Sequence, residues 1–170
     1  MFVLGTGCGG GSSPGSGPSS TGTHTSGNSG AVAVATRNLP RLGTILVDSH
    51  GRTLYLFAPD EHSRVTCTGT CAAVWPPLKL PAGLHAKASG QAQDSLLGSD
   101  PDPAGGRVVT YDGWPLYTYV ADRSAGVARG QAVKLNGGYW YVLSPAGKPI
   151  RTKSKTPSTS TGYGSGGGYG

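Results

Sequence analysis

The sequence predicts a compact all-β domain, sandwich-like or a partly closed barrel, built from two pseudo-symmetric hairpin repeats with little helix. The stretch GRTLYLFAPD at 51–60 recurs as GWPLYTYVAD at 113–122, so the pattern Gly-x-x-Leu-Tyr-x-aromatic-x-x-Asp occurs twice. Side chains alternate with period two in both copies, which is typical of strands. The turn signals DSHG and YDG begin both copies. Because one hairpin is marginal in water, the two copies are expected to pack together.

Composition divides the 170 residues into segments. The predicted segments are a signal-peptide remnant with a lipobox-like end at 1–8, a disordered Gly/Ser linker at 9–36, a single β domain at 37–150 and a disordered tail at 151–170, first basic and then rich in Gly and Tyr. Linker and tail hold few residues that a core could bury. Within the domain, repeat one is placed at about 41–80 and repeat two at about 96–147.

The first repeat is predicted to form a hairpin in which TILVDSHG runs into RTLYLFA. On the second strand, Leu54 and Leu56 take one face, and Tyr55 and Phe57 take the other. The aromatic face is either a second core layer or a half-exposed aromatic surface. Asp60 follows at the exit from the strand.

The second repeat is predicted to form a matching hairpin from RVVTYDGW and WPLYTYV. Tyr117 and Tyr119 share one face, and Asp122 follows the strand. Leu97-Gly98 is expected to correspond to Leu42-Gly43 of the first repeat. The predicted core consists of Leu46, Leu54, Leu56, Trp75, Leu97, Val109, Leu116, Trp140 and Val142.

A cysteine pair lies in the loop after the first motif. Cys67 and Cys71 can meet disulfide geometry if the three residues between them form a turn, and a small domain with a close pair fits an oxidising compartment. Haem attachment and a zinc site fit less well, because no His follows and no second pair exists. The spacing to Trp75 suits a helical turn that Pro76 ends. Gly126 and Gly130 fall near the corresponding place in repeat two.

Cys8 stands alone between small residues and a Gly/Ser run, which resembles the modified cysteine of a bacterial lipoprotein with its tether. The lipobox pattern wants an aliphatic residue three positions earlier, where Gly5 stands. Only four residues precede Gly5, too few for a signal peptide. We therefore expect a start further upstream and lipidation of Cys8. The alternative is a cytosolic protein with an incidental thiol.

The formal net charge of +6 is concentrated outside the domain. All eight acids and ten of the fourteen Lys and Arg residues lie within 31–147, which leaves that segment at +2. The remaining cations are Lys148, Arg151, Lys153 and Lys155. Such a tail favours an anionic envelope polymer or the membrane surface, unless it is merely a solvated charge run. Nucleic acid is not expected, because no basic face interleaved with aromatics appears.

The duplicated motif Tyr-x-[Phe/Trp/Tyr]-x-x-Asp resembles bacterial predicted lipoproteins named for it, also described as a secreted repeat of unknown function. Here it reads Tyr55, Phe57, Asp60 and then Tyr117, Tyr119, Asp122. The resemblance covers about residues 41–147, and the high Gly, Ala and Arg usage is typical of actinobacteria. It implies an extracytoplasmic protein, secreted or anchored to the outer face of the cytoplasmic membrane, and it implies no established reaction.

Three functions are compatible with these residues. The first is a non-enzymatic binding or structural module whose aromatic faces stack on a flat ligand, unless those aromatics are core. The second is a metal- or haem-linked redox module, with His50, His62 and His85 as weak candidate ligands that loop positions explain equally. The third, an enzyme, lacks a nucleophile elbow or phosphate loop. No cofactor is predicted, although haem or a metal is not excluded. Asp60 and Asp122 either close turns through backbone N–H groups or approach each other across the axis.

Overall fold

Ten short strands and one short helix make up the computed structural model, which describes residues 30–61 and 64–152. The strands are β1 (Ala31–Leu39), β2 (Gly43–Asp48), β3 (Tyr55–Phe57), β4 (Lys79–Leu80), β5 (His85–Ala88), β6 (Leu97–Pro101), β7 (Arg107–Tyr111), β8 (Trp114–Pro115), β9 (Val133–Leu135) and β10 (Gly138–Val142). The helix α1 spans Thr70–Val74, and 3-10 turns lie at Ala58–Asp60 and Asp94–Leu96. The prediction of an all-β domain with little helix is confirmed.

The strands form three small sheets rather than a closed barrel. The first has the order β2-β1-β5, with β5 parallel to β1. The second has the antiparallel order β3-β10-β9, and the third has the order β4-β7-β6 with β8 also paired to β7. Among the predicted shapes, the structure therefore favours packed sheets over a barrel.

Repeat one starts one strand earlier than the predicted residue 41, whereas repeat two starts with β6 at Leu97, close to the predicted residue 96. Strand β1 pairs with β2 just as β6 pairs with β7, and Val34 faces Asp48 where Leu97 faces Tyr111. Leu97 is therefore equivalent to a residue on β1, and the expected match with Leu42-Gly43 is wrong. The linker boundary at residue 36 is also too late, because β1 begins at Ala31. Its short Ala, Val and Thr residues lack a clear alternation, which hid this strand.

The turns that precede both motif strands follow the predicted chemistry. In repeat two, Asp112 and Gly113 both have positive φ values, of 50° and 77°, as a two-residue hairpin turn requires. In repeat one, Gly51 has φ of 75°, and the Asp48 carboxylate accepts hydrogen bonds from the backbone N–H groups of His50 and Arg52. The two sequences thus reach the same reversal with different loop lengths.

The segments that contain Trp75 and Trp140 each pair with the motif strand of the other repeat. Trp140 and Val142 on β10 pair with Phe57 and Tyr55, which belong to the other repeat. Pro77, two residues after Trp75, pairs in the same way with Tyr117. Each motif strand therefore receives its neighbour from the opposite half of the chain.

Two core clusters lie on opposite faces of the motif strands. One is largely aromatic and contains Tyr55, Phe57, Trp75, Tyr117 and Trp140. The other is largely aliphatic, and its members include Leu46, Leu54, Leu56, Val109 and Leu116. The predicted alternation is confirmed, and both faces are buried. Of the predicted core residues, only Leu97 is half-buried rather than buried.

The predicted helical turn after the cysteines is present as α1. It ends at Val74, and Pro76 follows two residues later, where a proline disfavours continued helix. The predicted signal-peptide remnant at 1–8, most of the linker, and the tail from residue 153 lie outside the described residues.

Candidate functional site: the motif interlock

The two motif strands meet at their tyrosines. The Tyr55 backbone N–H donates to the Tyr117 carbonyl at 2.8 Å, and the Tyr117 N–H donates to the Tyr55 carbonyl at 2.9 Å. This reciprocal pair places the same residue of both repeats side by side, as an approximate two-fold relation requires. The approximate two-fold axis that relates the repeats therefore passes near this pair of tyrosines.

Each motif tyrosine bonds to the aspartate of the other motif. The Tyr55 hydroxyl donates to Asp122 Oδ2 at 2.6 Å, and the Tyr117 hydroxyl donates to Asp60 Oδ2, also at 2.6 Å. All four side chains are buried, and the most exposed of them, Asp122, is only 4% exposed. The motif thus works across the repeats, and we call these four residues the motif interlock.

The second oxygen of each carboxylate binds the loop that follows it. Asp60 Oδ1 accepts hydrogen bonds from the Thr66 backbone N–H at 2.9 Å and the Thr66 hydroxyl at 2.6 Å. Asp122 Oδ1 accepts the Arg129 backbone N–H at 2.9 Å. Each aspartate therefore closes the segment after its strand through a backbone N–H, which was one of the two predicted roles.

The loops also supply a donor to each phenol. The Gly130 N–H donates to the Tyr55 hydroxyl at 3.2 Å, and the Cys67 backbone makes the equivalent hydrogen bond to Tyr117. Gly130 is therefore the counterpart of Cys67. The second glycine of this loop thus corresponds to the first cysteine of repeat one.

Burial sets the electrostatics of the motif interlock. It is the main factor that raises the pKa of Tyr55 and Tyr117 far above the usual range, and the adjacent aspartates raise it further. Burial also raises the pKa of Asp60 and Asp122, although the tyrosine and loop hydrogen bonds oppose this rise. Both phenols therefore stay protonated near neutral pH, and the four side chains join the two repeats.

Phe57 and Tyr119, the third residues of the two motifs, are the outer rings of a stack of four aromatic side chains. Trp75 and Trp140 lie face to face, with ring centroids 3.9 Å apart and planes 2° from parallel. Tyr119 covers the outer face of Trp75 at 4.0 Å, and Phe57 covers that of Trp140 at 4.3 Å. Of the two predicted alternatives, a core layer and an open aromatic surface, the structure shows the core layer. Only Tyr119 of this stack is partly exposed.

The predicted disulfide is present between Cys67 and Cys71, with Cα atoms 5.2 Å apart. It cross-links the chain directly after Thr66, the residue bonded to Asp60. In repeat two the same position is held by close packing instead. A Cβ added to Gly130 would lie 2.5 Å from Trp75 Cη2, so this position has no room for a side chain.

The candidate metal ligands do not converge. His50 lies in the exposed turn after β2, and His85 begins β5. His62 and Cys8 lie outside the described residues. Within 30–61 and 64–152, no group of three or more His, Cys, Asp or Glu residues that could hold a metal is found.

Sequence reasoning missed the groups that complete the motif interlock. Thr66 and Arg129 both contribute backbone N–H groups, which carry no side-chain signature. The only available signal was spacing, since Thr66 and Arg129 lie six and seven residues after their aspartates. This distance fits a loop that returns to its own strand end.

Fold and site together define a class: a duplicated β domain whose two halves are joined through a repeated tyrosine–aspartate motif. The family described as "secreted repeat of unknown function" matches residues 37–79 and 100–144, just over half of the chain. The chain belongs to this family, and the two matched segments fall on the two structural repeats. Its description as secreted supports an extracytoplasmic location.

Two further comparisons gave no relatives. No curated protein and no solved structure matches the chain. Across the described ranges, none of the helices has the length and apolar character needed to cross a bilayer.

Proposed function

We propose that this protein is a lipid-anchored, non-enzymatic binding or structural module of the cell envelope. The observation that carries the proposal is the use of all four motif Tyr and Asp side chains, buried and reciprocally bonded, to join the repeats. Because the motif side chains are buried and join the repeats, we expect the residues that carry function to lie on the exterior of the domain. Its secreted character places that exterior outside the cytoplasm.

The membrane is the first proposed partner, through a lipid on Cys8. The Gly/Ser run that follows Cys8 would separate the domain from the bilayer as a flexible tether. Anchoring by a lipid is also compatible with a domain that exposes few large apolar residues, namely Val120, Leu135 and Tyr139.

An anionic envelope polymer is the second proposed partner. Lys148 and Arg151 lie where the domain ends, and Lys153 and Lys155 continue the basic run. The Lys148 side chain is 71% exposed even though it pairs with Asp112. Such charges attract polyanions over about 8–10 Å at physiological salt.

The anchor is tested with the protein tagged at its C-terminus in its native host. Cells are fed an alkyne fatty acid, and wild type is compared with Cys8→Ser and with Ser12→Ala, a control in the same segment. We expect labelled, membrane-bound protein that external protease removes from intact cells. Cys8→Ser should be unlabelled, and Ser12→Ala should match wild type. Unlabelled wild-type protein in the cytosol would refute the proposal.

A further inference from the structure

A cleft lies in the loop after the second motif, outside the motif interlock. It encloses about 300 Å³ and is lined by Ala121, Arg123, Ser124, Val127 and Arg129. This volume is at the lower end of the range for small-ligand pockets. The lining therefore combines two arginines and a serine with two small apolar residues.

Among the described residues, neither Arg123 nor Arg129 forms an ion pair with a carboxylate. Among the residues that the structure describes, the carboxylates in ion pairs are those of Asp48, Asp102 and Asp112, and their partners lie elsewhere. The nearby Asp122 is 4% exposed, and both of its oxygens accept hydrogen bonds inside the domain. Arg129 also interacts electrostatically with Asp122. Its charge acts to lower the pKa of that carboxyl, whereas burial raises it.

A third arginine reaches the same loop from β1. The Arg37 side chain lies over Gly126, where an added Cβ would be 3.7 Å from Arg37 Cδ and 3.8 Å from Nη1. The backbone of this loop is constrained by two hydrogen bonds, since the Arg129 N–H donates to Asp122 and the Gly126 N–H donates to the Gly51 carbonyl. The positive charges therefore lie on a loop that is hydrogen-bonded to the motif interlock and to the turn before β3.

We propose that this cleft binds a phosphate group that carries a small organic substituent. Guanidinium groups bind phosphate oxygens through paired, charge-assisted hydrogen bonds. The Ser124 hydroxyl can add a further donor, while Ala121 and Val127 offer an apolar wall to the substituent. The site goes beyond the proposed function, which assigns no ligand to this cleft.

The test uses purified protein and two sources of the phosphate group. Glycerol 3-phosphate is titrated to about 20 mM in about 0.15 M salt and followed by amide NMR shifts. Sedimentation with phosphatidylglycerol vesicles, compared with phosphatidylcholine vesicles, tests the lipid source. The cleft variant Arg123→Gln/Arg129→Gln is compared with Lys87→Gln/Lys134→Gln, which removes the same charge from exposed positions elsewhere.

We expect saturable shifts in the 121–129 loop, at least about tenfold weaker binding in the cleft variant, and a change within about twofold in the control. If vesicle binding falls in parallel, the source is a lipid headgroup; if it is unchanged, the source is a free phosphate ester. Absence of saturable shifts, equal loss in both variants, or vesicle binding without shifts from glycerol 3-phosphate would overturn the proposal. Lipid labelling at Cys8 is measured separately, so that either proposal can fail alone.

Discussion

At the residue scale, the Tyr55 hydroxyl shows how the motif works. It donates to Asp122 of the other repeat and accepts from the Gly130 N–H, so both of its hydrogen-bonding roles are filled without water. A buried polar group that loses its partner costs about 1–3 kcal/mol, and more when a charge is involved. Tyr55 and Asp122 therefore depend on each other, and the same holds for Tyr117 and Asp60.

A double-mutant cycle tests this dependence. Tyr55→Phe and Asp122→Asn are each expected to lower the free energy of unfolding by about 1–3 kcal/mol. Because the two groups touch, their effects should be non-additive by at least about 0.5 kcal/mol. Urea unfolding followed by tryptophan fluorescence measures both variants and their combination.

The matched control combines Tyr55→Phe with Asp60→Asn, a pair from the same motif without a mutual hydrogen bond. Its effects should add within about 0.3–0.5 kcal/mol. Stronger coupling within a motif than between motifs would contradict the crossed arrangement.

The pH dependence of stability follows from the raised pKa of Asp122, which burial causes. The folded protein holds this proton more tightly than the unfolded chain does. The stabilisation is complete below the ordinary value of 3.8 and is lost as the pH rises through the folded-state pKa. The stability of wild type relative to Asp122→Asn should therefore decrease as the pH rises above 3.8.

Asp102 provides a control of opposite sign. Burial acts to raise its pKa, but the hydrogen bond from Lys79, the Ala104 N–H and the Lys79 charge together lower it. Its contribution is present above the unfolded-state pKa and is lost as the pH falls through the folded-state value. Relative to Asp102→Asn, wild type should lose stability on acidification. Equal slopes for both variants would refute the assigned directions.

At the element scale, the two loops after the motifs do the same work by different means. The first loop presents Thr66 to Asp60, and the Cys67–Cys71 disulfide cross-links the chain directly after Thr66. The second presents Arg129 to Asp122 and relies on Gly130, which fits against Trp75. Each loop is therefore sensitive to a different substitution.

Removal of the disulfide in Cys67→Ser/Cys71→Ser should lower the free energy of unfolding by about 2 kcal/mol, because the unfolded chain gains entropy. The effect should be local. Hydrogen exchange at the Thr66 amide should accelerate more than exchange at the Arg129 amide. Equal acceleration of both amides would mean that the disulfide stabilises the domain only as a whole.

Gly130→Ala should destabilise the second loop by about 1–3 kcal/mol or more, because the added methyl meets the Trp75 ring. The control is Gly43→Ala, where φ is 75° but no atom lies within 4 Å of the new Cβ. It measures the backbone penalty of about 1–2 kcal/mol alone. Thermal unfolding compares the two, and a Gly130→Ala protein as stable as wild type would contradict the packing.

At the scale of the whole molecule, neither repeat is self-sufficient. The strand β10 pairs with β3, and Pro77 pairs with Tyr117, so each half supplies a neighbour to the motif strand of the other half. The Trp75–Trp140 stack also joins the halves. The two halves are therefore joined by both backbone pairing and side-chain packing.

Separation of the chain after Gly90, an exposed turn residue, should give two fragments that are unfolded alone. An equimolar mixture should regain strand circular dichroism and the near-ultraviolet signal of the stacked tryptophans. A fragment that folds alone would show that the exchange is not required.

The sequence by itself determined what is local in this protein. Alternation predicted both faces of the motif strands, Asp-Gly chemistry predicted the turns, and spacing predicted the Cys67–Cys71 disulfide, because each depends on residues a few positions apart. It did not reveal β1, whose small residues show little alternation.

Only the tertiary structure decided how the two copies combine. The pairing of Tyr55 with Asp122 joins residues 67 positions apart, and the same motif would read identically if each tyrosine had bonded to its own aspartate. The stack of Trp75 on Trp140 likewise decided that the aromatic faces are core. Such choices depend on packing between distant segments, and local pattern and spacing do not encode them.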